Sequence, residues 1–377
     1  MTGSRAMRIA VDARSLAAPT GRGVSHYAES LLGELARRHP EDEWVLLQMG
    51  RRAWHPPRVL RRRNVTVCHR RLPNKFLNAS LAATGMPSLR SLAGDVDAFF
   101  MPNLGFLPRL GGVPLVLTVH DLSFETYPRF YSPRERLWHA AVRPRHLVGK
   151  ASRILAVSGQ TERELMRTYG TRRNRITVVS PGVDAGYRPP SARERGRIRR
   201  KYRLPRSYFL YVGAYEPRKN LPLLLDGYAR ARAAGLTAEL VLVGPGTGRA
   251  ADRARRADAT VLGYVPERDK AGLYGGALAV TLLSRHEGFG LPPLEALACG
   301  TPSLVSPLRI FDETVGPAAL RAGTVRDVAS ELVRLERSPG LRSGLVRRGK
   351  DRLSQFRWPE TAEKAYETIS KTVHEHT

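Results

Sequence analysis

Two carboxylates eight positions apart, Glu287 and Glu295, bracket the stretch "EGFGLPPLEALACG". Between them lie Gly288, Phe289, Gly290 and Leu291, then Pro292 and Pro293, the residue type favoured at a helix start, and Gly300 follows as a stop. The apolar run "ALAVTLLS" comes just before, so the order reads strand, glycine-rich turn, short helix. The N-terminus of such a helix presents unpaired N–H groups and the positive end of a dipole, which suits a phosphate or an electron-rich sugar. Glu295 is expected in the first helical turn, where the dipole alone favours an acid. Glu287 taken alone reads equally well as a solvated loop residue. Spacing leaves both alternatives open.

Three further places carry candidate chemistry. Arg218 and Lys219 in "EPRKN" follow a strand-like run, where cations either neutralise phosphate or are plain surface charge. His120 ends the strand "LVLTVH" beside Asp121, as a hydrogen-bonding group at a strand end or as half of a structural pair. In "PTGRGVSHY", Gly21 and Gly23 flank Arg22 before a helix expected near Val24. They allow close backbone approach to a ligand or merely form a tight turn, and the third glycine of the dinucleotide fingerprint is missing. "DVD" at Asp95–Asp97 imitates a metal-binding triplet but leads into the strand "AFFMP", so it reads as a loop and strand start. Cys68 and Cys299 are the two cysteines, too few for a disulfide framework and neither in a metal-ligand pattern.

The elements that must hold these residues follow from length and alternation. At 377 residues the chain exceeds the size at which one core keeps growing, so two domains are expected. Short apolar runs alternate with amphipathic stretches, the pattern of a parallel sheet covered by helices. The first series of strands is expected at Met7–Val11, Trp44–Leu47, Val65–Cys68, Ala98–Met101, Leu115–Val119, Ile154–Val157 and Ile176–Val179. A joint rich in Pro and Gly, then a charged helical stretch from Ser191 to Arg203, separates it from a second series at Phe209–Val212, Ala238–Val243, Thr260–Leu262, Ala277–Leu283 and Pro302–Val305. Two doubly wound α/β domains are therefore expected, residues 1–186 and 187–357, with ligands bound at strand ends in the cleft between them. The final stretch, residues 358–377, has no following strand to cover and is expected to pack back on the first domain.

Composition narrows the classes. No apolar run approaches the roughly 20 residues of a membrane span, and the N-terminal apolar stretch is short for a signal peptide, so the cytoplasm is the expected location. The 62 Lys and Arg against 34 Asp and Glu give a formal charge of +28, which attracts polyanions. The arginines are spread over many faces and no nucleic-acid signature accompanies them, so solvated surface charge is the expected reading and nucleic acid is not an expected partner. The charge also suits peripheral contact with an anionic membrane. A basic nucleic-acid- or membrane-binding protein that keeps the fold without catalysis is the alternative reading.

"EGFGLPPLEALACGTP" resembles the signature of the retaining, nucleotide-sugar-dependent enzymes with two Rossmann-like domains called glycosyltransferase family 4. "YVGAYEPRKNLPLLLDGY", "GYVPERDKAGLYGGA", "VVSPGVD", "VDARSL…TGRGVSHYAESLLGEL" and "TVHDLSF" extend the likeness over roughly residues 7–306. The resemblance implies a GT-B fold, with acceptor motifs in the first domain and donor motifs in the second. It implies that Glu295 binds the ribose hydroxyls, and that Glu287 with the Gly288–Leu291 backbone holds the donor sugar. Gly263 and Val265 fall on the nucleobase side, Arg218 and Lys219 at the diphosphate, Gly21 and Gly23 in the donor site, and His120 near the transferred sugar. Many members carry Arg after the glycine of this strand, where Ala214 stands here. Neutralisation then rests on Arg218, Lys219 and Arg22. The implied reaction moves a hexose, with GDP-mannose as the favoured donor, to an acceptor that the residues do not identify. It needs neither cofactor nor metal, and a hinge is expected near Gly182–Tyr187 and Trp358.

Overall fold

The computed structural model describes residues 5–17, 22–50, 54–71, 73–246 and 249–376. The chain divides into two compact units: the described residues of Met1–Gly182 with Trp358–Thr377, and Val183–Arg357. The border thus falls four residues before the expected 186/187, because the Val183 N–H donates to Phe356 O at 2.9 Å and ties that strand of backbone to the second unit.

In the first unit, strands β1 (Arg8–Asp12), β2 (Glu43–Met49), β3 (Val65–Arg70), β4 (Ala98–Met101), β5 (Leu115–Val119), β6 (Arg153–Ala156) and β7 (Ile176–Val178) form one parallel sheet ordered β3-β2-β1-β4-β5-β6-β7. All of β4 and β5 is buried, which is why both read as continuous apolar runs rather than alternating ones. The last helix, Trp358–His374, packs on the helix Arg22–Arg38: the Trp358 ring lies 5.8 Å from Tyr27, and Arg38 pairs with Glu363 at 3.0 Å. Thr361 donates to Ser180 O at 2.7 Å, and Arg153 pairs with Glu375 at 2.6 Å.

The second unit repeats the plan with β8 (Tyr208–Val212), β9 (Glu239–Val243), β10 (Thr260–Gly263), β11 (Ala279–Leu282), β12 (Ser303–Val305) and β13 (Ala319–Arg321), in the order β10-β9-β8-β11-β12-β13. Strand β13 is the one not signalled by the sequence. It is three residues long, ends in Arg, and pairs with β12 alone. Phe209, Leu240, Leu242 and Leu304 face one core, under the helices Leu221–Ala233 and Val325–Arg337; Leu210, Val241 and Val280 face another.

One glycine fixes the mouth of this sheet. Gly244, just past β9, has φ +138°, and a Cβ there would sit 2.0 Å from Gly213 O, while its own N–H donates to Gly263 O at 2.8 Å. Three strand ends are thus drawn together by a residue with no side chain. Gly244→Ala should destabilise the second unit by about 3 kcal/mol through strain and backbone displacement. Thermal unfolding measures it, and an unchanged midpoint would refute the role.

Candidate active site

Chain order reverses direction between β8 and β11: β9 and β10 extend one way from β8, β12 and β13 the other way from β11. Such a switch point separates the loops at the carboxyl ends of the two strands and leaves a crevice where ligands bind. The loop after β8 carries Arg218 and Lys219 on a single tight turn, Pro217–Lys219, closed by Asn220 at φ 52°, a conformation that Asn tolerates. The loop after β11 carries Ser284 and Glu287, and the Arg285 N–H donates to Arg218 O at 2.8 Å.

The side chains of the two loops meet on Glu287, which is only 4% exposed. Lys219 Nζ donates to its Oε1 at 2.6 Å, Ser284 Oγ donates to the same oxygen at 2.6 Å, and Arg218 Nη1 donates to Oε2 at 3.4 Å. Burial pushes the Glu287 carboxyl up. The Lys219 and Arg218 cations, with the hydrogen bonds, outweigh burial and hold it below the usual carboxylate range. The solvated-loop alternative is thereby excluded, and both oxygens already have cationic partners. Arg218 is shared: its Nε donates to Glu216 Oε2 at 2.8 Å, so the two cations meet two carboxylates, of which Glu287 is the buried one.

Past Glu287 the chain turns through Gly288 and the buried Phe289, whose ring meets Phe356 edge-on at 5.5 Å. Gly290 has φ 85°, and a Cβ there would lie 2.9 Å from the Phe311 ring. The helix Leu291–Ala298 then begins, with proline in its first turn. Glu295 is its fifth residue and so lies in the second turn, not the first. The buried Glu295 carboxylate is held by the Tyr274 hydroxyl, which donates to Oε2 at 2.5 Å. Burial first, then Glu295, keeps the Tyr274 phenol protonated well above its ordinary range. The same two causes push the Cys299 thiol up to about 12, so it is unreactive. Tyr187 packs on Tyr274, with ring centroids 5.7 Å apart, and donates to Glu267. Gly263 ends β10 at φ 67°, followed by the buried Val265.

The first unit has its own switch point, between β1 and β4. There Arg14 grips the buried Asp12 with two hydrogen bonds of 2.7 Å each and donates to Phe106 O at 2.7 Å. His120, at the end of β5, places Nε2 2.9 Å from Pro102 O. A carbonyl oxygen only accepts, so Nε2 carries the proton and Nδ1 is left as the acceptor. Burial lowers the imidazole's pKa, against the opposing pull of Pro102 O and Asp121, so the ring is neutral at pH 7. Asp121 is instead bound to Ser123, whose N–H and Oγ donate to Oδ1 at 2.9 and 2.5 Å. Tyr27 meets the His120 ring edge-on at 4.8 Å.

Other expected positions fall differently. Gly21 and the Arg22 side chain lie outside the described residues. Gly23 belongs to the helix Arg22–Arg38, which starts two residues before Val24, and does not form a separate tight turn. Within "DVD", Asp97 Oδ2 accepts the Arg8 N–H at 2.7 Å and Asp95 pairs with Arg90 at 3.0 Å, so both are structural. Ser284 and Tyr274 carried no signal in the sequence. A serine closing an apolar run and a tyrosine in "GLYGGA" are recognisable only once their partners are in place.

Two family descriptions match the chain in succession: "Glycosyltransferase Family 4" over residues 21–187 and "Glycosyl transferases group 1" over residues 194–352. The chain is 31% identical over 266 residues to the O-antigen chain mannosyltransferase B of Escherichia coli, covering 64% of this chain and 66%, just under two thirds, of that protein. It is 27% identical over 414 residues to the D-inositol 3-phosphate glycosyltransferase of Gordonia bronchialis, covering 98% of this chain and 89% of that one. Among solved structures, HepE of Anabaena in complex with UDP and glucose superposes with a TM-score of 0.70 at 18% identity, covering 97% of this chain and 100% of that chain. No described helix is long and apolar enough to cross a membrane. With both halves matched in order and a doubly wound sheet in each, the chain belongs to glycosyltransferase family 4 and has the GT-B fold.

Proposed function

We propose that the chain transfers a hexose from a nucleoside-diphosphate sugar to an acceptor hydroxyl or amine with retention of configuration. The observation that carries this reading is the pair of cations Lys219 and Arg218 set on Glu287 at the β8/β11 switch point and fixed from two loops. As the bond from the anomeric carbon to the diphosphate oxygen breaks, negative charge grows on the leaving phosphate. Lys219 and Arg218 stabilise that charge where it forms. The acceptor oxygen attacks from the same face, and its proton passes to the departing phosphate. Glu287, already bound by two cations and Ser284, orients these groups and the donor sugar and is not a nucleophile. Glu295, its second oxygen fixed by Tyr274, binds the ribose hydroxyls. His120, neutral with Nδ1 accepting, hydrogen-bonds a hydroxyl near the transferred sugar.

GDP-mannose is the favoured donor, supported by the mannosyl activity in the Escherichia coli relative's name. The Anabaena neighbour's UDP and glucose make UDP-sugars the next candidates. A thermal-shift comparison of GDP, UDP, dTDP and ADP separates them, since a ligand at 100 times its Kd adds about 2.7 kcal/mol of stability. A raised midpoint with one nucleotide is expected, and no response to any of the four would sink the donor site.

Lys219→Ala should lower kcat about a hundredfold, the equivalent of about 3 kcal/mol at the transition state. It also strands a buried carboxylate and costs stability. The double change Lys219→Ala with Glu287→Gln should recover the stability without recovering turnover. Single-variant kcat close to wild type would reduce Lys219 to a structural partner. Glu295→Gln should instead raise the donor KM about tenfold with kcat less affected, because ribose is held in ground and transition states alike.

The reaction is proposed to need no metal, because cationic side chains occupy the place a metal would serve. Turnover should therefore persist in excess EDTA. Complete loss restored by Mn²⁺ would overturn this part of the reading.

A further inference from the structure

The helix Glu267–Tyr274 in the second unit has eight residues, too few to hold a fixed place by its own backbone bonds. Other parts of the unit grip it on two faces. Asp269 and Gly272, three residues apart, share one face. The buried Asp269 accepts from Arg197 at 3.2 Å, from the Tyr202 hydroxyl at 2.7 Å and from Lys201, all on the helix Ala192–Tyr202. Gly272 lets the two helices touch, since a Cβ there would lie 2.5 Å from Ile198 Cγ1. These contacts fix how near the helix lies to its neighbour, from one side only.

Glu267 and Tyr274, seven residues and so two turns apart, share the opposite face. A single side chain touches both. The hydroxyl of the buried Tyr187 donates to Glu267 Oε1 at the first residue of the helix, and its ring meets Tyr274 at the last, with centroids 5.7 Å apart. Tyr187 is itself placed by the turn before it, where its N–H donates to Asp184 O at 2.9 Å. Burial first, then the charge of Glu295, keeps the Tyr187 phenol protonated, so it remains a donor to Glu267. At the far end of the helix the Tyr274 hydroxyl donates to Glu295 Oε2 at 2.5 Å, a bond that weakens steeply when the donor is displaced. Any turning of the helix about its axis would therefore be felt at Glu295, and Tyr187 is placed to prevent it.

We propose that Tyr187 is a positioning residue for nucleoside selection: by holding both ends of the helix Glu267–Tyr274 it sets where the Tyr274 hydroxyl stands, and thereby the aim of the Glu295 carboxylate at ribose. The inference rests on the reading of Glu295 as the ribose ligand. It adds a residue that acts through Tyr274 rather than on the nucleotide, and it makes the choice of ribose over deoxyribose depend on the segment leading into the second unit.

The experiment is calorimetric titration of the full chain with GDP and 2′-deoxy-GDP, and with UDP and 2′-deoxy-UDP as the second pair. Wild type should bind the ribonucleotide of the responding pair about thirtyfold more tightly, because the deoxy form leaves a buried carboxylate without one of its donors. Glu295→Gln should cut that preference to about threefold and Tyr187→Phe, which deletes only the hydroxyl, to about tenfold, with the double variant no worse than Glu295→Gln alone. The deoxynucleotide should bind Tyr187→Phe as it binds wild type. Glu267→Gln still accepts the Tyr187 hydroxyl through its amide oxygen and should keep the full preference. A full preference in Tyr187→Phe, lost in Glu295→Gln, would overturn the role of Tyr187 and leave the donor site intact. Equal weakening of both nucleotides in Tyr187→Phe would overturn it as well, since general loosening of the unit gives that result. A wild type that binds neither ribonucleotide or ignores the sugar, or a Glu295→Gln that selects as wild type does, overturns the ribose reading and the proposal with it.

Discussion

A carboxylate taken out of water must be compensated where it sits, and Glu287 is compensated by groups from two different loops. At an effective dielectric of 20, a cation about 4 Å away contributes roughly 4 kcal/mol, comparable with the several kcal/mol that burial of the ion costs. The balance is favourable only while Lys219, Arg218 and Ser284 all hold their places. The ion cluster therefore fixes the relative position of the β8 and β11 loops. Gly288 to Leu291 follow directly from Glu287, so the turn and the start of the helix Leu291–Ala298 inherit that position. Glu295, one turn further, is fixed from the other side by Tyr274.

The first unit solves the same topological problem with different groups. Its switch point holds a closed Asp12–Arg14 pair, in which one cation meets one anion, and a neutral imidazole at His120. The second unit sets two cations, Lys219 and Arg218, around the buried Glu287, with the exposed Glu216 as the other partner of Arg218. Two cations side by side suit a diphosphate, whereas a neutral hydroxyl suits an imidazole acceptor. This difference in the groups presented, more than any single residue, separates a donor side from an acceptor side in the reading proposed above.

Legibility in the sequence tracked burial and locality. Strands buried on both faces, such as β4, β5 and β8, read as unbroken apolar runs and were visible as strands. Strand β13 was not, because three residues ending in Arg carry no such run. In the site, Glu287 and Glu295 were picked out by the family resemblance of their segment, but their partners were not. Lys219 is 68 residues from Glu287, and Tyr274 is 21 from Glu295. Sequence spacing detects residues on one local element, while a buried charge is balanced across loops that only the sheet brings together. Glu295 lies in the second turn rather than the first because Gly290 caps the helix earlier than the proline pair alone suggests, so the dipole counts for less than the tyrosine.

The surplus of arginine also divides into two populations once its partners are known. Many guanidiniums are bound to carbonyl oxygens at helix ends: Arg175 donates to Val148 O, Gly149 O and Ala151 O, and Arg342 to Leu335 O and Glu336 O. Arg8 reaches Ala93 O and Asp95 O in the same way. A cation at the carboxyl end of a helix satisfies orphan carbonyls and opposes the negative end of the dipole, which is a stabilising role needing no partner outside the chain. Others, such as Arg197 and Lys201, converge on one buried acid, Asp269. Arg136 and Arg143 contrast with these, since they line a cavity beside the exposed helix Pro133–Val142 together with Glu125 rather than crossing a helix end. Net charge alone gives every arginine the same weight. Sorting them by what they touch separates guanidiniums that close helix ends from those, such as Arg218, that serve the proposed donor site.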